Sequence, residues 1–124
     1  MIEVSNMTDL KIEVRHSGRV VVVEPVGFIN AHTAKDFETV LQSLIEQSKH
    51  NIVINCKALA YIASAGLGAI MGSIDAVREN NGDIRLSNMN ETVFNIFDVL
   101  GFTHLYSIFQ TEEKAVESFK EGAS

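Results

Sequence analysis

In the stretch YIASAGLGAIMG, residues 61–72, a serine stands directly ahead of a run of small residues. Ser64 is a candidate hydrolytic nucleophile. The sharp turn that presents such a serine needs G-x-S-x-G, whose leading glycine lets the strained backbone form. Ile62 occupies that place, so only half of the motif is present. Asp98 and His104 follow in the order of an α/β-hydrolase triad, but plainer roles fit both. Asp98 falls on the polar face of a predicted helix and His104 in the loop after Gly101, so no enzymatic activity is expected. Gly66, Gly68 and Gly72 spell G-x-G-x-x-x-G, one residue off the dinucleotide fingerprint, and no P-loop lysine follows. The helical period begins at Leu67, inside the glycine run, leaving little room for a phosphate-binding loop. Neither a cofactor nor a metal is expected.

A third chemistry is recognition. At about 100° per residue, Leu67, Ile70, Met71 and Ile74 cluster on one helix face. With Leu67 at its centre, the opposite face carries Ala65, Ala69, Gly72 and Ala76, where a solvated face would hold Lys, Glu or Gln. Each glycine in a helix interior costs about 1 kcal/mol relative to alanine, so its presence calls for a reason. One reading is that a neighbouring helix of the same domain packs there; the other, preferred, is that another protein docks on it. Ser64 stands at the N-cap or in the first turn of this helix, where an N-cap serine contributes about 1 kcal/mol. A phosphate on the same oxygen would meet free backbone N–H groups and the positive end of the helix dipole. It would also place about −1.5 to −2 charges on the rim of the smooth face.

The elements that must hold this helix are legible from periodicity. Leu10 to Arg15 alternates, Ser17-Gly18 offers a turn, and Val20 to Val23 is continuously β-branched, which predicts a hairpin whose second strand is buried on both faces. Pro25 ends that strand or lies where its missing N–H is harmless. Phe37, Val40, Leu41, Leu44 and Ile45 share a helix face, and strand Ile52 to Cys56 follows. Asn81-Gly82 stops the Ser64 helix, and Ile84 to Leu86 is a further strand. Asn88 and Glu91 have capping-box spacing for a third helix burying Val93, Ile96, Phe97 and Leu100, with Gly101 at its C-terminal cap. Leu105 to Phe109 is the last strand, and Thr111 caps a final helix carrying Ala115, Val116 and Phe119. The expected fold class is α/β: a mixed sheet of about five strands, an N-terminal hairpin followed by alternating helix and strand, with about four helices packed on it. Residues 10–120 form the domain, between loose segments at 1–9 and 121–124.

Composition narrows the function classes. The chain has 124 residues, 46% hydrophobic and 21% charged, which suits one globular domain. A formal net charge of −6 argues against nucleic acid and anionic membrane as partners. The one cysteine, Cys56, lies in the apolar segment Asn51 to Cys56 and is expected to be a small buried hydrophobe. MIEVSNMTDL has neither a basic start nor an apolar run, and the longest apolar stretch, VVVVEPVGFI, is too short to span a bilayer, so a soluble cytoplasmic protein is expected.

YIASAGLGAIMG closely resembles the phosphorylation motif of STAS-domain anti-sigma-factor antagonists, in which a serine, a small residue and G-L-G open a helix. GFINAHTA after the second strand, NNGDIRLSN and FDVLGF agree, so the resemblance covers about Leu10 to Phe119. It implies a STAS-like domain acting in bacterial partner switching and transcription control. The implied partner is an anti-sigma factor of histidine-kinase-like ATPase fold, which acts as a serine kinase on Ser64, and a serine phosphatase reverses the modification. The implied docking surface comprises Asn30 and His32 after the second strand, with Ala65, Gly66, Gly68, Ala69, Gly72 and Ala76. Family members commonly carry an acidic residue where Ala63 stands and an aspartate where Asn30 stands; both replacements remove negative charge near Ser64. A STAS-like module that senses a ligand or joins a signalling assembly without phosphorylation is the alternative.

Overall fold

A computed structural model describes residues 10–122 of the chain. Strands β1 (Leu10–Ser17) and β2 (Val20–Ile29) form the expected hairpin, pairing antiparallel in unbroken register from Leu10↔Gly27 to Ser17↔Val20. The chain continues through α1 (Ala34–Glu46), β3 (Asn51–Asn55), β4 (Leu59–Ile62), α2 (Ser64–Glu79), β5 (Asp83–Ser87) and α3 (Glu91–Val99). A 3₁₀ turn (Phe102–His104), β6 (Ile108–Phe109) and α4 (Glu112–Gly122) complete it. The sheet has six strands in the order β1-β2-β3-β5-β6, with β4 pairing on β2; only β1 runs antiparallel to its neighbour. The fold is therefore α/β with a mixed sheet and four helices, as expected, with one short strand more.

Alternation along the central strands assigns the two layers. Val21 and Val23 of β2, Ile52 and Ile54 of β3, and Ile84 and Leu86 of β5 face α1, α2 and α3. Val20, Val22 and Val53 face the other way, onto Ala115, Val116 and Phe119 of α4. A strand buried on both faces must be continuously apolar, which is why VVVV reads as it does. Pro25 does not end β2. Gly27, two residues on, donates its N–H to Ala58 O at 3.0 Å. The Pro25 nitrogen therefore faces the same side. It lies between the Val21–Val23 segment paired with β3 and the Gly27–Ile29 segment paired with β4, where no ladder bond is lost.

Several boundaries differ from the periodicity. The cap of α3 is Asn90, whose Oδ1 accepts the Val93 N–H at 2.8 Å, rather than Asn88. Asn88 has φ 56, a left-handed turn residue, whereas an N-cap needs the extended backbone that Asn90 has at φ −80, ψ 170. Leu100 is exposed, because the helix ends at Val99 and Gly101 turns the chain with φ 78. The expected strand Leu105 to Phe109 shrinks to Ile108–Phe109; Phe102 and Tyr106 instead fold onto Phe97 in edge-to-face contacts. Thr111 Oγ1 accepts the Lys114 N–H at 3.1 Å and caps α4 as expected. That helix runs to Gly122, two residues into the tail expected to be loose. The loose segment expected at residues 1–9, and residues 123 and 124, lie outside the described residues. Among the described residues no helix is long and apolar enough to cross a membrane.

Asn90 also donates Nδ2–H to Leu59 O at 2.8 Å, tying α3 to β4. Asn90→Ala is expected to lower stability by about 1–2 kcal/mol, read as a shifted denaturation midpoint. An unchanged midpoint would mean that the cap lies elsewhere.

Candidate functional site

Ser64 is the first residue of α2, and its side chain is exposed. Ala63 occupies the N-cap with φ −93 and ψ 173 and brings no side-chain oxygen to cap the helix end. The N–H groups of Gly66 and Leu67 bond to Ala63 O at 2.9 and 3.1 Å. Those of Ser64 and Ala65 precede any intrahelical acceptor. A hydroxyl at this position therefore stands beside free donors and the positive end of a helix of 16 residues.

The end of β2 lies alongside. Ala63 N–H bonds to Ile29 O at 2.8 Å, and Ile29 pairs with Ile62 in the sheet. Asn30 then opens the loop to α1. Its Oδ1 accepts the N–H groups of His32 at 2.9 Å and Thr33 at 3.2 Å. Thr33 Oγ1 closes the turn by donating to Phe28 O at 2.7 Å. An aspartate could accept the same bonds, so the amide holds this loop without a charge. His32 is exposed on the loop.

The buried arc of α2 is not centred on Leu67. Gly66, Leu67, Ala69, Ile70, Ser73, Ile74 and Val77 are buried, whereas Met71 is 42% exposed. At 3.6 residues per turn the arc is rotated by about 80° from the expected one. The cause is a second neighbour: α2 packs against α1 as well as the sheet, and Gln42 Nε2 reaches Ser73 Oγ at 3.4 Å. Small residues facing α1 allow the close approach, so part of the smooth stripe is internal packing. Two expected docking residues are thereby corrected. Ala69 is 5% exposed, facing inward. Gly66 is buried so closely that a Cβ there would stand 2.5 Å from Ile29 Cγ2 and 2.8 Å from Ile62 Cγ1. Ala76 is half-buried at the margin.

As far as Asp75, the exposed residues of α2 are Ser64, Ala65, Gly68, Met71, Gly72 and Asp75. Gly68 and Gly72 have nothing within 4 Å of a would-be Cβ, and the one large side chain among the six is Met71. Tyr61, 43% exposed, stands on β4 three residues before Ser64. Periodicity assigns Met71 to the buried face, which its exposure corrects, and gives Tyr61 no role. A wheel centred on Ile70 places Met71 about 100° away, on the rim; the four-residue β4 is too short for a period that would mark Tyr61. Gly66→Ala is expected to lower stability by about 1–3 kcal/mol through overpacking. Gly68→Ala, with open space around it, should raise stability by up to about 1 kcal/mol. Thermal melts of the two variants moving in the same direction would contradict this division of the glycine run.

The other chemistries fail on position. Gly66, Gly68 and Gly72 all lie within α2, so no glycine loop exists to cradle a phosphate. Asp98 Oδ1 accepts the Thr103 hydroxyl at 3.0 Å, and no hydrogen bond among the described residues joins Ser64, Asp98 and His104. Burial pushes the Cys56 thiol up to about 12, so it stays protonated and inert at neutral pH.

A family model described as the STAS domain matches residues 11–115. Over 109 residues the chain is 26% identical to the anti-sigma-B factor antagonist of Bacillus subtilis (strain 168), covering 88% of this chain and 99% of that protein. The anti-sigma factor antagonist SpoIIAA in its unphosphorylated form superposes with a TM-score of 0.79 at 22% identity, covering 90% of this chain and 97% of that one. The Bacillus cell fate determinant SpoIIAA in its phosphorylated form gives 0.69 at 21% identity, over 90% and 99% of the two chains. At this identity the structural likeness speaks for the fold, which the family match independently requires. With the match running from the first strand into the last helix, the chain belongs to the STAS domain family.

Proposed function

We propose that the protein is an anti-sigma-factor antagonist that catalyses nothing itself and works by partner switching. The exposed stripe of α2, from Ser64 to Asp75, docks on an anti-sigma factor of histidine-kinase-like ATPase fold, with Asn30, His32 and Ala76 at its margin. That partner phosphorylates Ser64 and the complex separates; a serine phosphatase restores the free hydroxyl. Sigma-factor control places these events in the bacterial cytoplasm. The observation carrying this reading is the solvent-facing Ser64 hydroxyl at the N-terminus of a helix whose exposed stripe has two glycines and an alanine. Such a surface lets a partner's backbone approach closely, and a phosphate at its rim adds charge where the partner must desolvate it. The curated relative's name is consistent with this role.

Affinity capture from the source cell with wild type and Ser64→Asp, read by mass spectrometry, tests the reading. A histidine-kinase-like ATPase enriched on wild type and depleted on Ser64→Asp is expected. Equal recovery on both would contradict the switch, and a bound small molecule with no such ATPase would favour the ligand-sensing alternative.

A further inference from the structure

The hairpin leaves an eight-residue strand, β1, at one edge of the sheet, paired only with β2 among the described residues. Which backbone groups face outward follows from its partner. Gly27 points its N–H away from β1, toward Ala58 O, so Leu10↔Gly27 is a pair without mutual hydrogen bonds. Alternation extends this to Ile12↔Pro25, Val14↔Val23 and His16↔Val21. The N–H and C=O groups of Leu10, Ile12, Val14 and His16 therefore point off the sheet. Natural edges of this length are usually blunted by proline, a bulge or charges that repel a second strand. Here the register is unbroken, the strand has no proline, and its charges alternate in sign.

We infer that β1 pairs antiparallel with β1 of a second copy, centred on Ile12, to give a two-fold dimer with a continuous sheet. In this register Ile12 meets its own symmetry mate once, while the Leu10–Val14 and Lys11–Glu13 pairs each form twice. Ile12 takes a hydrogen-bonded position, as its outward backbone requires. Leu10, Ile12 and Val14 lie on the α1–α3 side, where Leu10 and Ile12 border the main core and Val14 is 40% exposed. The dimer extends that apolar row across the seam. Lys11 and Glu13, both exposed, form opposite-charge pairs on the α4 side. A Lys-x-Lys edge would repel its twin; Lys-x-Glu matches it. The pairing uses none of the residues of the α2 docking stripe, so it stands or falls independently of the switch at Ser64.

Sedimentation equilibrium across a concentration series, with circular dichroism confirming the fold of each variant, tests the inference. Wild type should show a concentration-dependent monomer–dimer equilibrium. Lys11→Glu alone and Glu13→Lys alone each create two like-charge contacts and should weaken dimerisation about tenfold or more. An equimolar mixture of the two variants restores both opposite-charge pairs across the seam, and the dimer should return as a heterodimer. A wild type that stays monomeric to millimolar concentration would overturn the inference. So would a dimer indifferent to either reversal, or a mixture that fails to recover it.

Discussion

Gly72→Arg is expected to leave the thermal melt nearly unmoved and to abolish partner binding, whereas Ala69→Arg is expected to unfold the domain. The sequence alone treats the two positions alike, as neighbours on one smooth face. Their surroundings differ. Gly72 is exposed with nothing within 4 Å of a would-be Cβ, so an arginine has room and recovers part of the roughly 1 kcal/mol that glycine costs a helix. Ala69 is 5% exposed and belongs to the main core. A guanidinium forced there is overpacked and unpaired, costing several kcal/mol against a total stability of about 5–15 kcal/mol. At a docked interface the arginine at 72 holds the partner off and strands a charge, again several kcal/mol, which is hundreds-fold in affinity or more. Melts and a pull-down of each variant read the two effects separately. A folded Gly72→Arg that binds as well as wild type would remove the α2 stripe from the interface.

The second large effect is electrostatic. Ser64→Asp is expected to weaken partner binding at least tenfold, while Ser64→Ala binds nearly as well as wild type. Ser64 is exposed at the first helical position, so neither change disturbs the core. A carboxylate at a helix N-terminus is typically worth about 0.3–1 kcal/mol in favour of the fold, so the acidic variant should melt no lower. The same charge must lose water when a partner covers it, and Asp75 already supplies a negative group on that stripe. Equal affinity of the Ala and Asp variants, measured by titration calorimetry, would mean that charge at this position does not govern binding.

Where one pressure dictates a residue pattern, the sequence carries it plainly. Val20 to Val23 must fill both layers, and Ala115, Val116 and Phe119 must close the second. These strands and helices are readable without coordinates. The misreadings arise where two pressures overlap. The α2 wheel assumes one buried face, but α1 and the sheet both cover that helix, so alanine and serine are buried while Met71 stays out. Asn88 and Asn90 are both cap-forming types, and only the left-handed turn at Asn88 decides between them. Strand β4 is four residues long, with two exposed positions between buried ends, too short for a period to appear. At the candidate site, the position of Ser64 and the openness of Gly72 are legible in the helical period, whereas Gly68 enters the docking surface only through the resemblance; the burial of Gly66 against Ile29 depends on a strand pairing that no local pattern encodes.

The central claim is that Ser64 is the residue through which this domain is switched. It is tested most directly by incubating the protein with ATP and the histidine-kinase-like ATPase encoded nearest its gene, then mapping phosphate by mass spectrometry and titrating the product against that ATPase. One phosphate at Ser64, with none on buried Ser73 or on exposed Ser43 within α1, and loss of binding by the modified protein are the expected results. A main phosphorylation site elsewhere, or a Ser64-phosphorylated protein that still holds its partner, would contradict the claim.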